Sequence, residues 1–167
     1  MNNSTVLPVA SIVLRVLIVL NWAVGVAILA LLVATFVAEQ WTFTALGVSA
    51  FRTTGIRAIA VLGLVAVPLN HAVLRRLLTI VETVRSGDPF VAANALRLQA
   101  IAWVLLALQV LSLFIGGVAK AISMPGHPFH VDAGFSTSGW LAVLLTFILA
   151  RVFAAGTAMR DDLEGTV

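Results

Sequence analysis

Four long apolar stretches, separated by short polar segments, make up most of this chain. Its uncharged runs are long: 17 residues separate Arg57 from Arg75, and 22 separate Arg97 from Lys120. A helix needs about 20 mostly apolar residues to cross the roughly 30 Å of hydrocarbon in a bilayer. The pattern therefore predicts an all-α fold, an integral membrane bundle of four antiparallel transmembrane helices. We expect a single domain with spans at about 9–38, 56–78, 96–120 and 137–159.

The second helix is predicted to continue beyond the membrane as part of a helical hairpin extension. After the Arg75–Arg76 pair, apolar residues recur every three to four positions and polar residues take the other side. Residues 86–89 (Ser-Gly-Asp-Pro) then end this amphipathic helix. Gly87 suits the left-handed position that follows a helix, and Asp88 suits the N-cap of the next one. We therefore expect the third helix to begin at Phe90, outside the membrane.

The fourth helix carries its own start and end patterns. Ser136 is expected to cap its N-terminus, with Phe135 and Trp140 in the two positions of a hydrophobic staple. The apolar pattern stops near Arg160, so the last seven residues are predicted to be a short polar tail.

Composition agrees with a membrane location and argues against several kinds of binding site. Hydrophobic residues make up 61% of the chain, charged residues 10%, and the mean hydropathy is +1.11. Cysteine is absent, which excludes disulfides and thiolate metal sites. The net charge is +3, but the basic residues are scattered along the chain, so direct nucleic-acid binding is not expected.

Lysine and arginine counts predict that both termini are cytoplasmic. With that orientation, seven basic residues lie inside and three outside, as the positive-inside rule favours. Trp41 and Trp140 would then both lie at the external interface, where tryptophan is enriched. The helical hairpin between the second and third spans would be cytoplasmic.

Two groups of polar residues are candidates for metal binding and for a proton or ion path. His127, His130 and Asp132 in the second external loop could hold zinc or copper, but the prolines around them favour an ordinary polar loop. Polar residues inside the spans are better explained by hydrogen bonds between helices than by a proton or ion path, although His71 is a titratable candidate for one. These intramembrane residues are Asn21, Asn70, His71, Gln109 and Arg151. We find no catalytic residue set and no cofactor-binding motif, so we expect neither enzymatic activity nor a cofactor.

Two motifs go beyond what membrane insertion requires. The first is Gly-x-Pro-Phe, three residues, Asn, two residues, Arg, over 87–97. The second is the chain end, with Val152-Phe153, Gly156 and the run Met159 to Val167. Together with the four spans, they resemble the bacterial membrane proteins grouped as domain of unknown function 2975, over essentially the whole chain. Family members commonly have an acidic residue before the Val-Phe pair, where this chain has Arg151.

The resemblance implies a location in the bacterial plasma membrane and a partner. Genes of this family often stand beside a gene for a small helix-turn-helix regulator. In the predicted topology both motifs lie on the cytoplasmic side. There we expect an internal clasp, with Arg85 or Arg97 paired to acids of the tail, a docking surface for a soluble protein, or both. The residues of this predicted surface are Arg85, Gly87, Asp88, Pro89, Phe90, Asn94, Arg97, Arg160, Asp161, Asp162 and Glu164.

Two functions remain open from the sequence. The leading hypothesis is a non-enzymatic integral membrane protein that restrains or signals to a cytoplasmic helix-turn-helix transcription regulator. The alternative is a small transporter or an ion- or proton-conducting bundle. The sequence leaves the oligomeric state open, a homo-oligomer included.

Overall fold

The computed structural model describes residues 3–37, 50–88, 90–123 and 131–164. They form four helices in chain order: α1 (Asn3–Val37), α2 (Ala50–Arg85), α3 (Ala92–Ala121) and α4 (Thr137–Glu164). No strand occurs in these ranges. The predicted all-α fold class is confirmed.

All four helices are long and apolar enough to cross a membrane. The candidate spans are Val6–Val37, Thr53–Arg85, Ala92–Ala121 and Thr137–Arg160. Apolar side chains cover the outside of the helices, including Ile12 and Val19 on α1 and Leu144 on α4, each more than half exposed. A water-soluble fold of this size would bury such residues, whereas in a bilayer they face lipid. The chain is a multi-pass membrane protein.

Helix packing follows chain order: α1 packs on α2, α2 on α3 and α3 on α4. The α1–α2 contact is close because Gly25 lies against the side chain of Val67, and Gly63 against Ile28. Absence of a side chain lets two helix backbones approach within a membrane. Among the described residues, five of the eleven buried apolar side chains are alanines, and Ala102 is fully buried.

Three boundaries differ from the sequence-based predictions. α2 begins at Ala50, six residues before the expected start of the second span at about 56. α4 continues through residues 161–164, which were expected to be a non-helical tail. α3 begins at Ala92 with Val91 as its N-cap, in extended conformation and without a side-chain cap hydrogen bond, so the N-cap expected at Asp88 and the start expected at Phe90 are wrong.

Two local predictions are confirmed. The backbone N–H of Gly139 donates to Oγ of Ser136 at 3.2 Å, as a cap of α4 requires. The rings of Phe135 and Trp140 stack with centroids 6.5 Å apart, which is the expected hydrophobic staple.

Candidate functional site at the hairpin end

The turn between α2 and α3 is set by a glycine. Gly87 has φ +92°, in the region that residues with a Cβ rarely adopt. Its N–H donates to the carbonyl of Val84 at 3.1 Å, and the N–H of Asp88 donates to the carbonyl of Thr83 at 3.2 Å. These two bonds are the Schellman pattern at a helix C-terminus. Asp88 therefore belongs to the end of α2, which is why it does not cap α3.

A buried amide joins the two helices of the hairpin. Asn94 on α3 is fully buried, and its Nδ2 donates to Oγ1 of Thr83 on α2 at 2.7 Å. Its Oδ1 accepts a hydrogen bond from Nη1 of Arg97 at 2.7 Å. Thr83 in turn donates to the carbonyl of Ile80 at 2.7 Å. Both ends of the Asn94 amide are satisfied, so this polar group can be buried without the usual penalty.

The two sequence motifs meet at this end of the bundle. The rings of Phe90 and Phe153 lie 5.4 Å apart between centroids. Gly156, one turn along α4, leaves room for the Phe90 ring, since a Cβ there would lie 3.2 Å from it. Arg160, a further turn along, forms an ion pair with Asp88. We call the region built by the last turns of α2, residues 86–91, the first turns of α3 and the last turns of α4 the hairpin end.

The charges across this contact are the reverse of the predicted pairing. The observed ion pair joins a basic residue of α4 to an acidic residue of the hairpin, Asp88. Arg97 bonds within the hairpin, and Arg85 is exposed. Asp162 is also exposed, whereas Pro89 and the side chains of Asp161 and Glu164 lie outside the described part of the structure. The predicted pairing of Arg85 or Arg97 with those tail acids stays a prediction.

Two polar residues within the candidate spans, Asn21 and His71, connect α1 with α2. Nδ2 of Asn21 donates to the carbonyl of Val67 at 3.0 Å. Nε1 of Trp22 donates to Nδ1 of His71 at 3.2 Å, and the two rings meet edge to face. A carbonyl has two lone pairs, so Val67 can accept the side chain of Asn21 in addition to a helical donor. Asn21 and His71 thus serve as hydrogen-bonding contacts between helices.

Among the described residues, the other three intramembrane candidates form no side-chain hydrogen bond with Asn21 or His71. Asn70 is exposed on α2, and Arg151 is exposed on α4. Gln109 on α3 lies directly against the backbone of Gly139 at the start of α4. Its buried Oε1 makes no hydrogen bond to any described residue. These five residues do not converge on one site in the described structure.

The opposite end of the bundle, where α1 ends, α2 begins and residues 131–136 lead into α4, is built differently. Residues 131–134 lie along α3, and Oγ of Ser112 bonds both the N–H and the carbonyl of Gly134, at 3.1 and 3.2 Å. Arg57 of α2 donates to the carbonyl and Oγ1 of Thr35, near the C-terminus of α1, and lies 4.1 Å from the centre of the Phe36 ring. A cation there complements the negative end of the helix dipole.

An apolar cavity of about 460 Å³ opens between α1, α2 and α3 near this end. Helix residues such as Ile28, Ile59 and Leu108 form its walls, and Asp132 supplies a carboxylate at its edge. Asp132 belongs to the weak metal candidates, but His127 and His130 lie outside the described residues. Across the described ranges no three metal-ligating side chains come together.

Sequence reasoning missed several partners of the candidate residues. Thr83 carries no pattern that marks it as the partner of Asn94, because it reads as one more polar residue of an amphipathic helix. Glu82 of α2 lies 3.5 Å from Arg15 of α1, a pairing that no pattern in the sequence marks. Phe153 and Gly156 were visible within the second motif, and their separation by three positions places both on one helix face.

Comparisons with known proteins identify a family but no function. No curated protein and no solved structure gives a significant match to this chain. One family model, described as a protein of unknown function, matches residues 43–167, which is 125 of the 167 residues. The match includes both motifs and α2 to α4. It does not include α1, although the resemblance was expected to extend over essentially the whole chain. The chain therefore belongs to the family of proteins of unknown function called DUF2975.

Proposed function

We propose that this protein is a non-enzymatic membrane interaction protein whose hairpin end restrains or signals to a cytoplasmic helix-turn-helix transcription regulator. The observation that carries the proposal is the meeting of the two family motifs through Phe90–Phe153 and Arg160–Asp88. Lipid insertion does not require such an arrangement of rings and charges. The gene arrangement implied by the family resemblance supplies the class of partner.

The length of α2 supports a platform outside the hydrocarbon. Arg57 and Arg75 are 18 residues apart, which corresponds to about 27 Å along a helix and nearly matches the hydrocarbon thickness. α2 then continues to Arg85, a further 15 Å or so. α4 likewise extends past Arg160 to Glu164. Both extensions are helical, so a partner would meet a preorganised surface, which lowers the entropic cost of binding.

The proposed orientation puts the hairpin end in the bacterial cytoplasm, with both chain termini on that side. Reporter fusions at Gly126 and after Val167 test it. We expect a reporter that needs the cytoplasm to be active after Val167 and inactive at Gly126. The reverse pattern would place the hairpin end outside and would contradict a cytoplasmic partner.

Partner docking is tested with a defined probe, the helix-turn-helix protein encoded beside the gene for this chain. The tail acids Asp161, Asp162 and Glu164 are replaced together by Asn, Asn and Gln. We expect the variant to insert in the membrane as wild type does, and to lose co-purification of the regulator. The matched control is Asp132→Asn, an acid at the opposite end of the bundle, which should retain the regulator.

Three results would contradict this proposal. The first is a gene neighbourhood without such a regulator, and the second is full retention of the regulator by the neutralised tail. The third is a fall in thermal stability that accounts for the lost binding. In that case the tail is only a clasp, and charge reversal on both the tail and its basic partner should restore the stability.

The alternative function, a small transporter or ion-conducting bundle, has one observation in its favour, the apolar cavity with Asp132 at its edge. The intramembrane residues Asn21, His71 and Gln109 do not line that cavity. Purified protein in liposomes tests this alternative through the flux of protons or potassium ions across the vesicle membrane. Flux above that of empty vesicles, reduced by Asp132→Asn, would favour transport.

A further inference from the structure

A second cavity, of about 390 Å³, lies on α2 where the helix leaves the hydrocarbon. His71, Ala72, Arg75, Arg76 and Thr79 line it. We propose that this cavity binds the phosphate of an anionic glycerophospholipid headgroup. This inference is independent of any soluble partner at the hairpin end.

The position of the cavity along α2 argues for a lipid as the occupant. Arg75 follows an uncharged run that starts after Arg57 and spans about 27 Å, close to the hydrocarbon thickness. With Arg57 at one boundary of the hydrocarbon, Arg75 and Arg76 lie at the other. Phospholipid phosphates occupy that depth, and basic pockets beside transmembrane helices are known to hold anionic headgroups.

The charges in the cavity are complementary to a phosphate. Arg75 is exposed, and its side chain makes no hydrogen bond or ion pair within the described residues. Arg76 donates through Nη1 to the carbonyl of Ala72 at 3.1 Å, which fixes its side chain and leaves other N–H groups to donate. None of the described residues that line the cavity carries a carboxylate, and Glu82 further along α2 lies beside Arg15. Two guanidinium groups without an acid favour a lipid of net negative charge over a zwitterionic one.

His71 supplies a third donor through its contact with α1. Because Nε1 of Trp22 donates to Nδ1 of His71, Nδ1 acts as an acceptor and Nε2 of the neutral ring carries the hydrogen. Thr79 donates its hydroxyl hydrogen to the carbonyl of Arg75, so it is not a donor for the phosphate. The proposed phosphate contacts are therefore Arg75, Arg76 and Nε2 of His71.

Trp22 provides a local reporter for the bound lipid because it touches His71. The full-length protein is placed in nanodiscs of phosphatidylcholine with a minor fraction of phosphatidylglycerol, and one of the two lipids carries brominated acyl chains. Quenching of Trp22 is the difference between wild type and Trp22→Phe. Exchanging the brominated label between the two lipids gives the lipid composition next to the cavity.

We expect phosphatidylglycerol to be enriched at Trp22 above its bulk fraction. Arg75→Gln should reduce that enrichment on the order of tenfold, the effect of one charged hydrogen bond of about 1.4 kcal/mol. The matched control is Arg151→Gln, because Arg151 is an exposed arginine on α4 outside this cavity. It should leave the enrichment within about twofold of wild type, well under the tenfold per 1.4 kcal/mol expected for a lost contact.

Three outcomes would overturn the proposal. Quenching by each labelled lipid in proportion to its bulk fraction in wild type would mean that no anionic site exists, and this arm decides the matter even if Arg75→Gln fails to fold. Equal losses in Arg75→Gln and Arg151→Gln would mean diffuse attraction to an anionic surface. Release of brominated phosphatidylglycerol by inorganic phosphate, against chloride at the same ionic strength, would make a soluble phosphate the ligand.

Discussion

The two ends of the bundle are held together by different physical means. At the hairpin end, polar side chains make the contacts, as in the Asn94–Thr83 hydrogen bond and the Arg160–Asp88 ion pair. At the opposite end, side chains such as Ser112 also form hydrogen bonds, but there two backbones touch as well, because Gly116 of α3 lies against the backbone of Gly134. Side chains can rotate away from a changed neighbour, but two backbones in contact cannot. The hairpin end should therefore tolerate substitution better.

The largest expected effect is at the opposite end, with Gly116→Ala. A Cβ at Gly116 would lie 2.7 Å from Cα of Gly134 and 2.9 Å from the carbonyl oxygen of Ala133, so the backbone must move. Overpacking of this kind costs about 1–3 kcal/mol. Because no side-chain rotation relieves a clash between two backbones, we expect the free energy of unfolding, measured in one detergent, to fall by about 3 kcal/mol, the upper end of this range.

The neighbouring glycine is the matched control for this substitution. A Cβ at Gly117 meets no atom within 4 Å, so Gly117→Ala should be neutral or stabilise α3 by up to about 1 kcal/mol through helix propensity. Similar losses in both variants would mean that the close approach to residues 133–134 does not determine the cost of Gly116→Ala.

A smaller loss of about 2 kcal/mol is expected for Asn94→Ala at the hairpin end. The substitution removes hydrogen bonds to Thr83 and Arg97 from a buried position, and buried groups that lose partners cost about 1–3 kcal/mol. A double-mutant cycle with Thr83→Val measures the coupling through the free energy of unfolding. Strict additivity of the two substitutions would show that the Asn94–Thr83 bond contributes nothing.

Gly87→Val should cost about 1–2 kcal/mol through the backbone alone, because Gly87 has positive φ and open space around it. The control is Gly87→Asn, which tolerates left-handed geometry better and should lose less. Thermal denaturation in detergent compares the two variants. If Gly87→Val is as stable as wild type, the positive φ of Gly87 is not required for the stability of the turn.

The smallest effect is expected for the Arg160–Asp88 ion pair. Both side chains are nearly half exposed, 45% and 44%, and exposed pairs contribute about 0–1 kcal/mol. A cycle of Arg160→Gln and Asp88→Asn should give a coupling energy in that range, and it should weaken as salt is raised. A coupling energy well above 1 kcal/mol would contradict the expectation that the hairpin end tolerates substitution better than the opposite end.

The sequence alone determined what depends on neighbours in the chain. Run lengths gave four helices that can span a bilayer, because the hydrocarbon thickness fixes how many apolar residues are needed. The left-handed Gly87, the Ser136 cap and the Phe135–Trp140 staple follow from rules that act over a few residues. The start of α3 was predicted wrongly because Asp88 fits two such rules, as the N-cap of α3 and as the residue after the glycine that ends α2. In the structure it belongs to the end of α2.

Only the tertiary structure decided which faces of the helices meet. In water, apolar residues mark the face that packs, but in lipid both the packed and the exposed faces are apolar, so the pattern does not tell them apart. The contacts of Trp22 with His71 and of Phe90 with Phe153 join residues more than 45 positions apart. The two motifs marked Phe90 and Phe153 as residues that membrane insertion alone does not explain. The contact between their rings depends on the order in which α2, α3 and α4 pack.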